Sequence, residues 1–451
     1  MDHLDRTEPC PTPTTRTIRR AGALARLAGS GLQHAASRDG RRRWHGRSLA
    51  AAITLSLAVV AAILLPALVL PPTASAFGTI TELGQRAEHE RITRAALGCP
   101  AGGPNPGDCF EPKSLDQLAG QEGTFGAVGA PDSDDQILDA SAHCDDADHL
   151  NIPDYPQSQA DATAAIQRCI DRLRGEFRAG AAAAAGLIDA DGTISVEDVV
   201  LITPCVFTGG VPGRAKCNTL EHFGRVLHGA QDFYAHSNWT DDADPGQPIS
   251  IDNPPGLNLS FPSPLLDMTA SGPVTPPEGF SSGFFKSPVP GEDACPGLDG
   301  RITHACLNKD KVLITLGDGF ALNGLPVAGV SNISDPQTPR GQVGINAAKA
   351  VVASIFETRR QWGIFRRALV AQYGLERAAL MIGALTRDTP ADGLISPSDI
   401  SDLLDQPGAV PGALPGSGQP PAAVPGTGLP SLPGGGVPGV PGGLPGLPGR
   451  P

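Results

Sequence analysis

The 451-residue chain carries 34 basic and 47 acidic residues, a net charge of −13, and is 40% hydrophobic but only 4% aromatic. Its 56 Gly and 45 Pro place much of its length outside any helix- or strand-forming pattern. The acidic balance argues against electrostatic capture of duplex nucleic acid or anionic lipid, so chemistry on phosphates would need added metal cations.

Residues 1–48 are polar, hold ten Arg against four acidic residues and end in GRRRWHGR, which reads as a disordered basic leader. Residues 49–76 begin with an apolar run reaching Leu70 and close with PPTASA, where Ala74 and Ala76 occupy the −3 and −1 positions of a signal-peptidase site. Cleavage before Phe77 and export, to the outside or the cell envelope, is the expectation. The alternative is an uncleaved anchor, since the run 49–70 could span a bilayer. Removing residues 1–76 leaves 24 basic against 43 acidic residues, a net charge of −19.

The exported part, 77–405, has the length of one large domain. Helical periodicity is expected over 82–97, 160–187, 218–238, 344–362 and 363–385, with no alternating strand series. Long Pro/Gly-rich loops join these helices, notably 245–296. Its eight Cys fall in close sequential pairs, Cys99/Cys109, Cys144/Cys169, Cys205/Cys217 and Cys295/Cys306. In an exported chain this reads as four local disulfides; the competing reading, thiolate metal ligands, lacks any CxxC. The fold class is therefore mainly α with long disulfide-pinned loops. Residues 406–451 are a Pro/Gly/Val/Leu/Ala tract expected to be a disordered tail.

Two acidic segments, 189–198 and 388–399, look like calcium half-loops but lack ligands, with Leu187 and Pro390 at required positions. Helix initiation by Ser195 with Asp198, and by Ser396 with Pro397 and Asp399, is the simpler reading. Gly279-Phe280-Ser281-Ser282-Gly283 fits the GxSxG of serine hydrolases, but a nucleophile elbow needs a strand before it and a helix after it. This one stands in a Pro-rich loop.

The segment HGAQDFYAHSNW, His228 to Trp239, carries the chemistry. At about 100° per residue, His228, Asp232 and His236 share one helical face as a ladder of metal-ligand side chains that can feed two adjacent ions. Asn218, with Glu221 three residues on, is the expected N-cap. A buried His/Asp hydrogen-bond pair without metal is the plain alternative. Seven His remain after the leader. His89 stands in RAEHERITRAAL, His143 opens HCDDADH after the acidic PDSDDQ, and His304 lies in THACLNKD. His149, Asp145 and Asp148 read either as orienting partners or as solvated loop residues. His222 points away from the ladder.

The order Phe77, His89, Asp132, His143, His228-x3-Asp232, His236, His304 resembles the secreted zinc-dependent phospholipase C and single-strand nuclease superfamily. LHGAQDFYAHSNW and THACLNKD are most similar to heterokaryon-incompatibility C (Het-C)-like domains, and the layout resembles secreted actinobacterial proteins labelled CinY. The likeness covers 77–309 by motif order. It implies an all-α, phospholipase C-like helical domain holding two or three zinc ions and hydrolysing phosphodiesters or phospholipids. The freed amine and carbonyl of Phe77, His89 and Asp232 would hold one zinc. Asp132, His143, His228 and Asp232 would hold a second, with Asp232 bridging and Asp132 orienting the attacking water. His236 and His304 would contribute to a third. The relatives begin with Trp where Phe77 stands, space the Asp and the next His more widely, and follow the last His with Glu four residues on. Here that position is Asn308, and Asp310 is the candidate carboxylate. A non-catalytic exported or envelope-associated domain with structural metals and disulfides is the alternative reading.

Overall fold

The computed structural model describes residues 86–404, except 122–123, 134–135, 208–212, 286–293, 298 and 391–394, and without the side chains of 402–404. The basic leader, the apolar segment, Phe77 and the tail lie outside the described residues. Among the described residues no helix is long and apolar enough to cross a membrane.

The described chain is largely helical. Helix α1 runs Glu88–Leu97, α2 Pro112–Ala119, α3 Gln159–Ala183, α4 Val196–Val199 and α5 Ala215–His236. Then come α6 His304–Leu307, α7 Asn346–Tyr373, α8 Leu375–Thr386 and α9 Pro397–Leu404. Helix α3 starts where the Ser158 side chain accepts a hydrogen bond from the Asp161 amide at 3.1 Å. Its residues Ala162, Ile166, Cys169, Ile170, Leu173 and Phe177 are buried at three- and four-residue spacings, the stripe of a helix packed on one face.

Helix α5 is the axis of the fold, and nearly all its residues are buried, as expected of a helix covered on every side. It packs against α3 and α7, while α1 packs on α7. Phe223 of α5 meets Trp362 and Phe365 of α7 at ring-centroid distances of 5.5 and 5.0 Å, and Phe110 closes on Trp362 at 4.8 Å. Two glycines of α5 permit close approach of loops. A Cβ at Gly224 would lie 2.4 Å from the Ala127 carbonyl carbon, and one at Gly229 would lie 2.9 Å from the Ala142 carbonyl oxygen. The loops leading to Asp132 and His143 therefore press directly onto the helix backbone.

The helix boundaries differ from the sequence expectation at four places, the first being α1, which starts at Glu88 and not at residue 82 because Ala87 is left-handed at φ 52°. Helix α5 begins one turn earlier, after Arg214, because the Asp198 carboxylate accepts the Ala215 amide at 2.9 Å. Asn218 is not the cap: its side chain exchanges two hydrogen bonds of 2.8 Å with the backbone of Gly213. The long C-terminal pair breaks at Gly374, which has φ 80°, rather than at residue 363. Gly363 stays helical because Trp362, Ile364 and Phe365 are all buried, which outweighs the cost of about 1 kcal/mol for a mid-helix Gly. Helix α2 was not expected, although Pro112 at its first turn is a start signal.

Four short strands also appear: β1 Leu313–Leu316, β2 Ala321–Leu322, β3 Leu325–Pro326 and β4 Val330–Ser334. β1 pairs antiparallel with β4 and β2 with β3, and a register shift at Thr315/Leu316 interrupts the longer ladder. Strands of two to five residues are too short to show alternation. Part of the second acidic segment, 391–394, lies outside the described residues, and the described acidic side chains serve turns and caps. Asp191 accepts both the amide and the hydroxyl of Thr193, at 3.0 and 2.7 Å, and Asp388 accepts the amides of Lys113 and Ser114 at 3.1 and 2.8 Å, capping α2. Ser396 caps α9 by accepting the Ser398 amide at 3.2 Å, whereas the Ser195 hydroxyl donates to Asp198 instead of capping α4.

All eight Cys pair as their sequence proximity predicts, Cys99–Cys109, Cys144–Cys169, Cys205–Cys217 and Cys295–Cys306, with Cα separations of 4.9 to 5.4 Å.

Candidate metal centre

Among the described residues, three groups of side chains could hold a metal ion: His89, His228 and Asp232; Asp132, His143 and His228; and Asp145, His236 and His304. Helix α5 supplies the ladder His228, Asp232 and His236. His89 enters from the first turn of α1, Asp132 ends a short 3-10 turn, and His143 and Asp145 flank Cys144 in one loop. His304 opens α6.

Asp232 stands at the centre. Its Oδ2 lies 3.0 Å from both His143 Nδ1 and His228 Nε2, and its Oδ1 lies 3.2 Å from His89 Nε2. Asp132 Oδ1 approaches His228 Nε2 at 3.7 Å and His143 Nδ1 at 3.9 Å. Donor atoms about 2.0–2.1 Å from a tetrahedral zinc stand about 3.3 Å from each other, so these separations suit ligands of shared ions.

The outer nitrogens fix how the rings face. His228 Nδ1 donates to the Val128 carbonyl at 2.9 Å, His143 Nε2 to the Gln136 carbonyl at 3.3 Å, and His89 Nδ1 to Gln231 Oε1 at 2.7 Å. Gln231 is itself held by donating to Thr93 and Thr358 hydroxyls at 3.1 and 3.0 Å, which turns its oxygen toward His89. With those nitrogens protonated, each inner nitrogen presents a lone pair to the cluster. Yet His228 Nε2 and His143 Nδ1 are 3.0 Å apart. Two lone pairs at that distance repel unless a cation or a proton lies between them. Burial opposes charge on His143, but the hydrogen bond and charge of Asp232, with Asp132 and Asp145, raise it to about 9. Burial and the neighbouring His89 lower His228. Burial works against the Asp232 carboxylate, but His228, His236 and His89 hold it well below its usual range.

A second knot adjoins the first. His236 Nδ1 lies 3.1 Å from Asp145 Oδ1, while its Nε2 lies 3.7 Å from Asp310 Oδ1 and 3.8 Å from Asp232 Oδ1. His304 Nε2 is 3.8 Å from Asp310 Oδ2, and the two rings meet edge-on at 4.4 Å. Apart from these contacts with one another, Asp232 Oδ1, Asp145 Oδ1, both His236 nitrogens and both Asp310 oxygens are buried without a partner, and although burial opposes charge on His236, Asp145 and Asp232 raise it well above its ordinary value. Buried charges normally pair or bind metals, and a set of imidazoles and carboxylates fits a divalent metal ion.

Every expected ligand on the described chain, His89, Asp132, His143, His228, Asp232, His236 and His304, falls in one of these groups; Phe77 lies outside the described residues. Asp145, whose role the sequence left open, joins the second knot; its place in HCDDADH beside His143 was the only signal. Gln231 was missed, since a Gln between His228 and Asp232 on a helix carries no metal signature. His149 and Asp148 stand apart. His149 Nδ1 donates to the Gln157 carbonyl at 2.8 Å, and Asp148 is bound by Arg301 and by the Tyr155 hydroxyl at 2.5 Å. His222 pairs with Glu176 at 2.7 Å on the surface side of α5. Ser281 is buried in a loop without a following helix and accepts the His149 amide at 3.1 Å, unlike an exposed nucleophile.

Comparison with family models, curated proteins and solved structures gives no match, so the likeness to the zinc-dependent phospholipase C superfamily rests on the residues alone.

Proposed function

We propose that the chain is an exported, zinc-dependent phosphodiester hydrolase of the phospholipase C or nuclease type. The supporting observation is the Asp232 carboxylate, which turns one oxygen to His143 and His228 and the other to His89. Asp132, His143, His228 and Asp232 would hold one zinc, and His89 with Asp232 and the freed terminus at Phe77 a second. Zinc bound there would supply Lewis acidity and the positive charge that an acidic protein lacks for a phosphodiester or phospholipid headgroup. Asp132 and His143, 8% and 5% exposed at their side chains, form the edge from which substrate would approach. Asp132 orients a water at that edge and holds its proton, Val128 and Gln136 keep His228 and His143 turned inward, and Gln231 does the same for His89.

Burial favours a second reading, a non-catalytic exported or envelope-associated domain with structural metals. The side chains of His89, His228, Asp232, His236 and His304 are at most 1% exposed. The cavity of about 650 Å³ bounded by Ile194, Val199, Leu380 and Asp388 contains none of the ligands. Zinc-loaded protein should be assayed against phospholipid, oligonucleotide and a generic phosphodiester, with D132N and chelated protein alongside. Zinc-dependent turnover lost in D132N supports the hydrolase. Bound zinc with no turnover on any of the three selects the structural reading.

A further inference from the structure

We infer that the Cys144–Cys169 disulfide positions the metal centre, and that the ion at Asp132, His143, His228 and Asp232 is taken up only after this bond has closed. The inference rests on the reading of those four side chains as a zinc site and adds a redox condition on its loading.

His143, Cys144 and Asp145 are consecutive, yet their side chains go to two different helices. His143 Nδ1 lies 3.0 Å from Asp232 Oδ2 and Asp145 Oδ1 lies 3.1 Å from His236 Nδ1, both partners standing on α5. Cys144, between them, is bonded to Cys169 on α3. Just before them, the Ala142 carbonyl oxygen is so close to α5 that a Cβ at Gly229 would lie 2.9 Å from it. The loop is therefore a layer between the two helices, hooked to α3 by sulfur while its neighbours on either side face α5.

The backbone alone does not fix that arrangement. From Ser133 to Ser158 the described residues form neither helix nor strand. Cys144 and Asp146 have φ of 55° and 68°, left-handed conformations that residues with side chains keep only where their surroundings impose them. The hydrogen bonds of the loop hold its two ends. Downstream, the Asp146 amide donates to the Gly283 carbonyl at 2.9 Å and the Ala147 amide to the Ser282 hydroxyl at 3.2 Å. Upstream, Arg172 of α3 donates to Asp139 at 2.8 Å and to Gln136 at 2.5 Å. The Arg172 and Asp139 side chains are 22% and 40% exposed, and ion pairs so exposed are weak and screened by salt. The disulfide is a covalent tie between two fully buried residues, placed at the loop position that separates His143 from Asp145.

Zinc tolerates displacements of only a few tenths of an ångström in its donors, so His143 has to be held before it can contribute. With the bond open, the Cys144 thiolate is itself a zinc ligand next in sequence to His143, and it would draw the ion away from Asp132. Closing the bond converts two protein thiols into one disulfide while a small disulfide, such as oxidised glutathione, leaves as two thiols, which balances protons and electrons. Oxidation thus comes first and correct loading second.

The test is zinc retention against a chelator of known affinity, measured on protein beginning at Phe77. C144A/C169A should hold the ion at Asp132 and His143 at least about 10-fold more weakly than wild type, whereas C99A/C109A should match wild type. Adding H143A to C144A/C169A should weaken that ion little further, because the ring has already lost its place; a general loss of stability would instead add to the H143A effect and contradict the inference. Unchanged zinc affinity in a folded C144A/C169A protein overturns the inference and leaves the zinc site standing. If that variant does not fold, the reciprocal effect in wild type decides. Zinc should slow reduction of Cys144–Cys169 by a phosphine about 10-fold, and that of Cys99–Cys109 and Cys205–Cys217 less than about twofold, as read by alkylation and peptide mass mapping. Equal protection of all three bonds overturns the inference. Wild-type protein that binds no zinc overturns it together with the zinc site.

Discussion

His228 Nε2 lies 3.0 Å from His143 Nδ1, and the opposite nitrogen of each ring is spent on a backbone carbonyl, Val128 for one and Gln136 for the other. The pair is thus built to hold something positive between its rings. Without metal that is a proton, which is why His143 is raised to about 9 by Asp232 against the effect of burial.

A pH dependence follows. Below about pH 9 an incoming zinc ion must displace the proton on His143, so zinc affinity should climb at least tenfold per pH unit from 6.5 to 8.5 and flatten above 9. The sign for the metal-free protein is the reverse. A His raised in the folded state stabilises it fully below its unfolded value of about 6.5 and loses that contribution as pH rises through 9. Calorimetric zinc titrations at three pH values check the first trend, and an affinity independent of pH contradicts it.

Gln231 offers a test of ring orientation. Gln231→Leu removes the acceptor of His89 Nδ1 without touching an expected ligand, and it should weaken the zinc held with His89 by about 10- to 100-fold. The zinc at Asp132 and His143 should be retained. Competition with a chelator of known affinity separates the two.

Gly224 and Gly363 are both helical glycines with opposite expected responses. Ala at Gly224 would drive its Cβ into the Ala127 backbone at 2.4 Å, pushing away the Val128 carbonyl that holds His228. The expected cost is about 1–3 kcal/mol together with reduced zinc content. Ala at Gly363, whose nearest neighbour is the Arg367 side chain at 3.7 Å, should stabilise by about 0.5–1 kcal/mol. Thermal unfolding of both variants reads the contrast, and equal responses would refute it.

What the sequence made legible was whatever repeats locally. The three ladder positions share one face because helix geometry fixes them, and the Cys pairs close because ten to twenty-five residues separate them. Long-range satisfaction of polar groups was not legible. Asp198 capping α5, Asp388 capping α2, and Asn218 turning back to Gly213 each depend on where a loop lies in space. The same holds for Gln231, whose role exists only because Thr93 and Thr358 arrive from other helices. The break at Gly374 instead of residue 363 shows burial of Trp362 and Phe365 overriding a local breaker.

Export enters the account through Phe77. A chain beginning at Phe77 should bind one more zinc than a version with several extra residues before it, because only the freed α-amine, with an ordinary pKa of about 7.7–8.0, can chelate alongside His89. Deleting 406–451 should change nothing. Identical stoichiometry in the authentic and extended forms would remove the amine from the ligand set.

The most direct measurement is elemental zinc analysis, paired with thermal unfolding, of protein starting at Phe77 and of its H228A, D232A and H222A variants. The account predicts two or three equivalents of zinc in wild type and in H222A, whose ring pairs with Glu176 away from the cluster. H228A and D232A should each lose bound zinc and unfold at lower temperature, D232A the more severely because its carboxylate faces His89, His143 and His228 together. Zinc content and melting temperature unchanged across all four proteins would contradict it.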